Sequence, residues 1–259
     1  MIFLSFIRNF CSNESWEIIG SRQRKIRKLQ KWSKGLGRYS PIFGLGMLWI
    51  LIEWVVRVSL LLFSKEVVSW HPFSLLSTFG IGLIFDVIVV VQGLLPFLLF
   101  FTLLPRRWLV TSAYRKILWF ILWIGSCLIL LGGNAEFFFW EEFQTRFNFI
   151  AVDYLIYTTE VFKNIRESYP VFPLLGLTAL CGALIVYVLD RYFLSWETHI
   201  SIWKRTVLLC TFLLFPVVTF LGVDGKAKEF GTNSYNNQLA GNGLYELFSA
   251  FRNNELDYP

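Results

Sequence analysis

The sequence predicts an all-α integral membrane protein: five transmembrane helices, with an amphipathic extracytoplasmic interfacial helix between helices 3 and 4. Its composition is 55% hydrophobic and 19% aromatic with a mean hydropathy of +0.54, which is too apolar for a soluble domain of 259 residues. Five apolar stretches also approach the roughly 20 helical residues that cross a bilayer core of about 30 Å. These predicted spans are 42–63, 79–104, 117–133, 172–190 and 206–222.

The net charge of +6 indicates membrane orientation rather than nucleic-acid binding, because the basic residues lie before the first span and in alternate loops. These residues are Arg8, Arg22, Arg24, Lys25, Arg27, Lys28, Lys31, Lys34, Arg38, Arg106, Arg107, Arg115, Lys116, Arg191, Lys204 and Arg205. The positive-inside rule therefore predicts a cytoplasmic N-terminus and an extracytoplasmic C-terminus. The chain divides into a basic cytoplasmic arm (1–40), a five-helix domain (41–223) and an extracytoplasmic linker (224–259).

Ionisable residues occur inside the first two spans. Glu53 and Arg57 are four residues apart on span one and share a helix face, and Asp86 lies in span two. At about 1.5 Å per residue, Arg57 and Asp86 both sit roughly 10 Å below the outer surface. Because charges at this depth tend to pair, we expect an Arg57–Asp86 contact with Glu53 about one turn deeper. The pair either holds two helices together or lines a pocket for a lipid headgroup.

The last three spans carry packing signals. Span three ends in an aromatic belt, Phe137–Trp140, which is typical of a membrane interface. Span four has small residues at Thr178, Ala179, Gly182 and Ala183, and this spacing favours close helix packing. Pro216 interrupts span five and predicts a kink. The four cysteines show no disulfide or metal-type spacing.

The outer loop, residues 134–171, shows a helical stripe. Its apolar residues recur at steps of three and four: Phe143, Phe147, Ile150, Tyr154, Tyr157 and Val161. The stripe predicts an amphipathic helix, either continuous or broken, on the outer membrane surface. Arg146 is spaced either to pair with Glu142 or to bind a phosphate as a planar fork.

The C-terminal region is polar from Asp224 to Asn237, which indicates an exposed loop. Asn242 then precedes Leu244 and Leu247 and is predicted to cap a short amphipathic helix. The sequence shows no phosphate loop, dinucleotide fingerprint or Ser/His/Asp arrangement. His71 and His199 lie in loops beside span ends, away from any plausible partner.

Two blocks resemble the bacterial lipoteichoic acid synthase-like proteins, which are phosphoglycerol transferases and sulfatase-like relatives. Residues 146–170 resemble the outer loop of that family and read RFNFIAVDYLIYTTEVFKNIRESYP. Residues 237–258 resemble its linker between membrane part and enzyme and read NQLAGNGLYELFSAFRNNELDY. The resemblance covers about residues 40–259.

The resemblance implies a five-helix domain of the bacterial cytoplasmic membrane. Such a domain carries an extracytoplasmic enzyme of the alkaline phosphatase superfamily, with a threonine nucleophile and a divalent metal, typically manganese. The chain stops where that enzyme would begin, so no catalytic residue or metal ligand is assigned here and no catalysis is expected of this chain alone. We expect it to anchor the enzyme and present a lipid headgroup. The residues expected to contact the lipid are Glu53, Arg57, Asp86, Glu136, Arg146, Asp153 and Asn164.

Two other interpretations stay open. A stand-alone five-span transport or lipid-binding protein would need a polar route across the membrane, and the buried charges lie in spans one and two only. A subunit acting with a separately encoded sulfatase-like chain would show the same features as a membrane anchor.

Overall fold

The computed structural model describes residues 36–109, 111–156, 163, 165–167, 169–192 and 200–253. Five helices in these ranges are long and apolar enough to cross a membrane. They are α1 (Ser40–Phe63), α2 (Pro72–Leu103), α4 (Ser112–Phe143), α6 (Val171–Tyr192) and α7 (Ile202–Gly222). Shorter helices are α3 (Arg106–Leu109), α5 (Phe149–Ile156), α8 (Ser234–Ala240) and α9 (Gly243–Asn253). The described residues form no strand, so the predicted all-α membrane fold is confirmed.

The helices extend beyond the predicted spans where polar groups support their ends. At the start of α2, the His71 side chain accepts a hydrogen bond from the Phe73 amide at 3.3 Å, and Pro72 fits the first turn. Helix α4 continues past the predicted end at 133, through the aromatic belt, and stops at Gln144, whose φ is 55°. Hydropathy alone underestimated the lengths of both helices. The apolar stretches end at polar residues, and the helices continue because the fold provides hydrogen bonds for those residues.

Helix α1 lies at the centre of the bundle and packs against α2, α4 and α6. Helix α2 also packs against α7, and α4 packs against α6. The core between them consists of aliphatic side chains that are at most 5% exposed: Leu45, Leu94, Leu98, Leu118, Leu122 and Leu189. Helices α6 and α7 leave most of their apolar surface outside the bundle, as expected of helices that face lipid.

The small residues of α6 form its contact with α4, as the sequence predicts. The Trp123 indole donates to the Ala179 carbonyl at 3.0 Å, and the Cys127 thiol donates to the Thr178 carbonyl at 3.8 Å. A Cβ on Gly182 would lie 2.7 Å from the Cys127 sulfur, so only glycine permits this approach. Helix α7 continues through Pro216 to Gly222.

The bundle has two chemically different ends. At the basic end, where α2 finishes and α4 begins, Arg38 donates to the carbonyls of Phe101 and Leu104 at 2.9 and 3.1 Å, and Arg205 donates to the Thr102 carbonyl. These cations lie at the negative end of the α2 dipole. At the opposite end, called the tail end here, α1 and α4 finish and residues 224–253 pack against the bundle.

The helical stripe of the loop after α4 is broken, which is one of the two forms that the sequence left open. Phe143 belongs to α4, a turn follows, and α5 begins at Phe149 after Asn148 accepts a hydrogen bond from the Ile150 amide at 2.9 Å. Helix α5 buries Ala151 and Val152 and packs against α9. Residues 1–35, Tyr157, Glu160, Val161 and His199 lie outside the described residues.

The polar stretch 224–237 was expected to be an exposed loop, and that interpretation is wrong for its second half. Residues Ser234–Ala240 form α8, which packs on α2. Asn236 is 1% exposed and holds the loop before α2: it accepts from the Ser69 amide at 2.7 Å and donates to the Ser69 carbonyl at 3.2 Å. The polar atoms of its side chain form hydrogen bonds inside the fold and not with water.

Candidate functional site

Arg57 and Asp86 form a buried ion pair between α1 and α2, which confirms the contact expected from their depths. Two parallel hydrogen bonds join them, from Nη1 to Oδ2 at 2.6 Å and from Nη2 to Oδ1 at 2.8 Å. Neither side chain has exposed surface. Gly82, one turn before Asp86, leaves the space that the guanidinium fills, since a Cβ there would lie 2.5 Å from Arg57 Cζ.

The remaining donors of Arg57 hold the C-terminal segment. Nε donates to the Leu239 carbonyl at 2.9 Å, and Nη2 donates to the Gly241 carbonyl at 3.1 Å. Asn242 completes the arrangement by donating from Nδ2 to Asp86 Oδ1 at 2.9 Å. Residues more than 150 positions apart in sequence therefore meet at one ion pair.

Asn242 has a second role that the sequence predicted. Its side-chain oxygen accepts hydrogen bonds from the Leu244 and Tyr245 amides at 3.1 and 3.3 Å, so it caps α9. One buried side chain thus starts α9 and joins it to Asp86. The sequence pattern revealed the cap but carried no signal for the contact across the bundle.

Arg146 forms a second buried ion pair, with Glu136 on α4. The alternative partner suggested by spacing, Glu142, is exposed, because α4 ends at Phe143 and the four-residue helical spacing does not continue. Arg146 also donates from Nε to the Gln238 carbonyl and from Nη2 to the Leu239 carbonyl, both at 3.3 Å. The Leu239 carbonyl therefore accepts from both arginines.

The electrostatic environment of Arg146 decides its charge. Burial, together with the neighbouring Arg57 cation, lowers the pKa of Arg146 to about 10, while the carboxylates of Glu53, Asp86 and Glu246 act in the opposite direction. Because this pKa still lies well above neutral pH, Arg146 is a cation under physiological conditions. Its partner carboxylate is therefore needed to compensate a charge that is 1% exposed.

Glu53 differs from the other carboxylates because no cation contacts it among the described residues. It is 6% exposed, and its Oε1 accepts a hydrogen bond from the Trp49 indole at 3.0 Å, from one turn earlier on α1. We call Glu53, Arg57, Asp86, Glu136 and Arg146 the buried charge cluster. When ionised it contains three carboxylates and two guanidinium groups, and so carries one excess negative charge.

A groove of about 270 Å³ runs beside Glu53 and Glu136. Helices α1, α2 and α4 form its walls, and Leu244 of α9 lies at its tail end. Its lining is mostly apolar or glycine: Leu45, Trp49, Gly93, Phe97, Gly125, Leu128, Ile129, Gly132, Gly133 and Leu244. Leu128 is 63% exposed, so the groove opens sideways at the lipid-facing surface of the bundle.

The structure brings together five of the seven residues predicted to bind lipid, namely those of the buried charge cluster. Asp153 lies on α5, half-buried, and has no described hydrogen bond to the cluster. Asn164 lies outside the described residues. The part of the chain that the structure describes contains no group of three His, Cys, Asp or Glu side chains that could hold a metal ion, so it offers no set of ligands for manganese.

The hydrogen bonds separate the cluster into two parts with different capacity for ligands. Arg57 and Arg146 are occupied by carboxylates and backbone carbonyls, so their geometry serves to hold residues 238–242. Glu53 and Glu136 border the groove and are the charged groups in reach of a bound molecule. Phosphate binding by Arg146 stays a prediction.

Comparison of this chain with models of known protein families, with curated proteins and with solved structures gave no match.

Proposed function

We propose that this chain is the membrane-anchoring and lipid-presenting domain of a lipoteichoic acid synthase-like transferase of phosphoglycerol or a related phospho-group. The observation that carries this proposal is the docking of residues 236–243 on the tail end through Arg57, Asp86 and Arg146. An anchor that must place an enzyme at a defined height needs its connecting segment fixed to the bundle. A flexible linker would not achieve this.

The groove supports the lipid-presenting part of the proposal. It opens toward lipid beside Leu128, and its polar end lies under α9, the last described helix. A lipid held there would have its headgroup next to the docked segment. The segment and the lipid would therefore be positioned by the same helices, α1 and α4.

The proposed location is the cytoplasmic membrane of a bacterium, with the basic end in the cytoplasm and the tail end outside. Exposed cations at the basic end support this orientation, among them Arg107, Lys116 and Lys204. In the tail-end loop Arg146 is buried and paired, whereas Lys163 and Arg166 are exposed, so the proposed orientation rests mainly on the basic residues before the first helix.

Deletion of the gene in the source organism tests the proposal. We expect the deletion strain to lose transfer of a labelled phospholipid headgroup, either phosphoglycerol or a related phospho-group, to the cell envelope, and the wild-type gene to restore it. The Asp86→Ala variant should restore much less, because the docked segment loses its contact with α2. The Lys65→Ala variant, in an exposed ion pair at the same end, is the matched control and should restore transfer fully.

Unchanged envelope labelling in the deletion strain would contradict the proposed function. Full restoration by an Asp86→Ala protein present at wild-type level would instead contradict the importance of docking. Measuring the amount of protein in the membrane fraction separates loss of function from loss of folded protein.

A further inference from the structure

The groove has an apolar part and an acidic end. Leu45, Phe97 and Gly125 line the part nearer the basic end, and Glu53 and Glu136 lie nearer the tail end. Gly133 of α4 is level with Ile52 and Val56 of α1, since its Cβ would contact them at 3.6 and 3.0 Å, so Glu136 lies about one helical turn nearer the tail end than Glu53. A molecule with an alkyl chain and one polar group therefore matches the groove along its length.

The charge of the polar group follows from the cluster. Arg57 compensates Asp86 and Arg146 compensates Glu136, which leaves Glu53 with a neutral indole donor as its described partner. An ionised carboxylate at this depth is costly unless a cation is nearby. An anionic group beside Glu53 would add to the repulsion, whereas an ammonium group would compensate the excess charge and donate up to three hydrogen bonds.

We infer that the groove binds a membrane lipid that carries an ammonium headgroup, with the ammonium at Glu53 and Glu136 and an alkyl chain along α4. The side opening at Leu128 gives access from the bilayer rather than from water. This inference rests on the proposed function, since it names the class of lipid that the anchoring domain would present. A volume of about 270 Å³ suits one chain and a small headgroup, and the rest of the lipid would stay in the bilayer.

The test measures binding of two radiolabelled probes, hexadecylammonium and hexadecanol, to the purified full chain in detergent. We expect tighter binding of the ammonium by roughly tenfold or more, the ratio that a hydrogen-bonded charge pair supplies. Glu53→Gln should remove this preference while keeping the shape and the Trp49 contact. Glu141→Gln, which changes an exposed carboxylate on α4, should keep it.

A second variant tests the groove itself. Gly132 lines the groove and has no atom within 4 Å of its would-be Cβ, so Gly132→Leu fills the space without a collision and should block both probes. Gly176→Leu is the matched control, because this helical glycine is equally open and lies on α6, away from the groove. It should leave binding unchanged.

The outcomes separate the two proposals. Equal affinity for the two probes, or an ammonium preference that survives Glu53→Gln, would overturn the ammonium assignment while leaving a lipid groove in place. Binding of neither probe, or binding that Gly132→Leu does not affect, would overturn the ammonium assignment and the lipid-presenting function together. The anchoring function would then depend on the gene-deletion experiment alone.

Discussion

Arg57 shows how one side chain can organise the whole tail end. It makes two hydrogen bonds to Asp86 and two to backbone carbonyls of the C-terminal segment, from a position with no exposed surface. Because backbone carbonyls accept the last two bonds, Arg57 recognises the backbone conformation of the segment and not its side chains. Asn242 is the exception, because its amide reaches Asp86.

Removing Asp86 should destabilise the protein strongly. In the Asp86→Ala variant the Arg57 cation stays buried without its carboxylate, and breaking such a pair costs about 3–5 kcal/mol. We expect the free energy of unfolding in mixed micelles to fall by about that amount. The exposed pair Lys65–Glu66 is the comparison, and Lys65→Ala should change the same quantity by less than about 1 kcal/mol. Similar losses in both variants would show that burial does not determine the strength of the first pair.

Tyr245 links the stability of α9 to pH. Its hydroxyl donates to the Val223 carbonyl at 2.9 Å, and its ring contacts Phe85 with centroids 4.7 Å apart. Burial raises the pKa of Tyr245 above its ordinary value of about 10, and the carboxylates of Glu246 and Asp224 add to this effect against the opposing Arg252. The folded state therefore favours the neutral phenol. This contribution to stability is complete below about pH 10 and is lost as the pH rises through the folded pKa.

We expect Tyr245→Phe to be less stable than the wild type at pH 8 by about 1 kcal/mol, the typical worth of a hydrogen bond. The difference should shrink as the pH rises above about 10 and through the raised pKa of Tyr245 in the folded state, because the wild type loses stability there and the variant does not. Unfolding free energies across this range measure the effect. Tyr187→Phe, at an exposed position on α6, is the control for removing a tyrosine hydroxyl outside this contact. A constant difference for Tyr245→Phe would contradict the linkage.

At the scale of helices, the sequence predicted what depends on local pattern. Hydropathy located the five spans, and the small residues of span four located its closely packed face, because both signals repeat within one helix. That the partner of this face is α4 came from the structure. Counting residues from the predicted span ends placed Arg57 and Asp86 at one depth, which sufficed to predict their contact.

The docking of α8 and α9 could not be predicted in this way. The contacts join Arg57 and Arg146 to the carbonyl of Leu239, and a backbone acceptor leaves no trace in the sequence. Asn236 and Asn242 are typical of loops and caps, and their buried contacts with Ser69 and Asp86 depend on tertiary structure alone. Polar residues after a last span therefore do not by themselves indicate an exposed linker.

The contact between α4 and α6 is tested by a double-variant cycle. Gly182→Ala places a methyl group where the Cys127 sulfur lies 2.7 Å away, and we expect a loss of about 1–3 kcal/mol in unfolding free energy from overpacking. Cys127→Ala removes that sulfur, so the double variant should recover part of the loss, with a coupling energy above about 0.5 kcal/mol. Gly176→Ala is the control for helix propensity. If the effects of the two substitutions are additive, the loss of stability in Gly182→Ala does not arise from its contact with Cys127.

At the scale of the whole molecule, the two ends of the bundle use their charges differently. At the tail end, Arg57 and Arg146 are buried and compensated by Asp86 and Glu136. At the basic end, most of the described cations are exposed, and Arg205 contacts the Thr102 carbonyl near the end of α2. A buried, paired arginine contributes little to the surface potential that orients a membrane protein. The tail end also has exposed cations, among them Lys65, Arg166 and Lys226, so the predicted orientation rests mainly on the basic residues before the first helix.

Impermeant thiol labelling tests the resulting orientation. In a background whose four cysteines are replaced by alanine, Thr232→Cys marks the tail end and Lys116→Cys marks the basic end, and both positions are exposed. Because the run of basic residues before the first helix is expected to stay in the cytoplasm, we expect a charged maleimide to label Thr232→Cys on intact cells and Lys116→Cys only after lysis. Three membrane-spanning helices separate the two positions, so they must lie on opposite sides of the bilayer. The opposite pattern would place the docked segment in the cytoplasm, where it could not hold an enzyme that acts on the cell envelope.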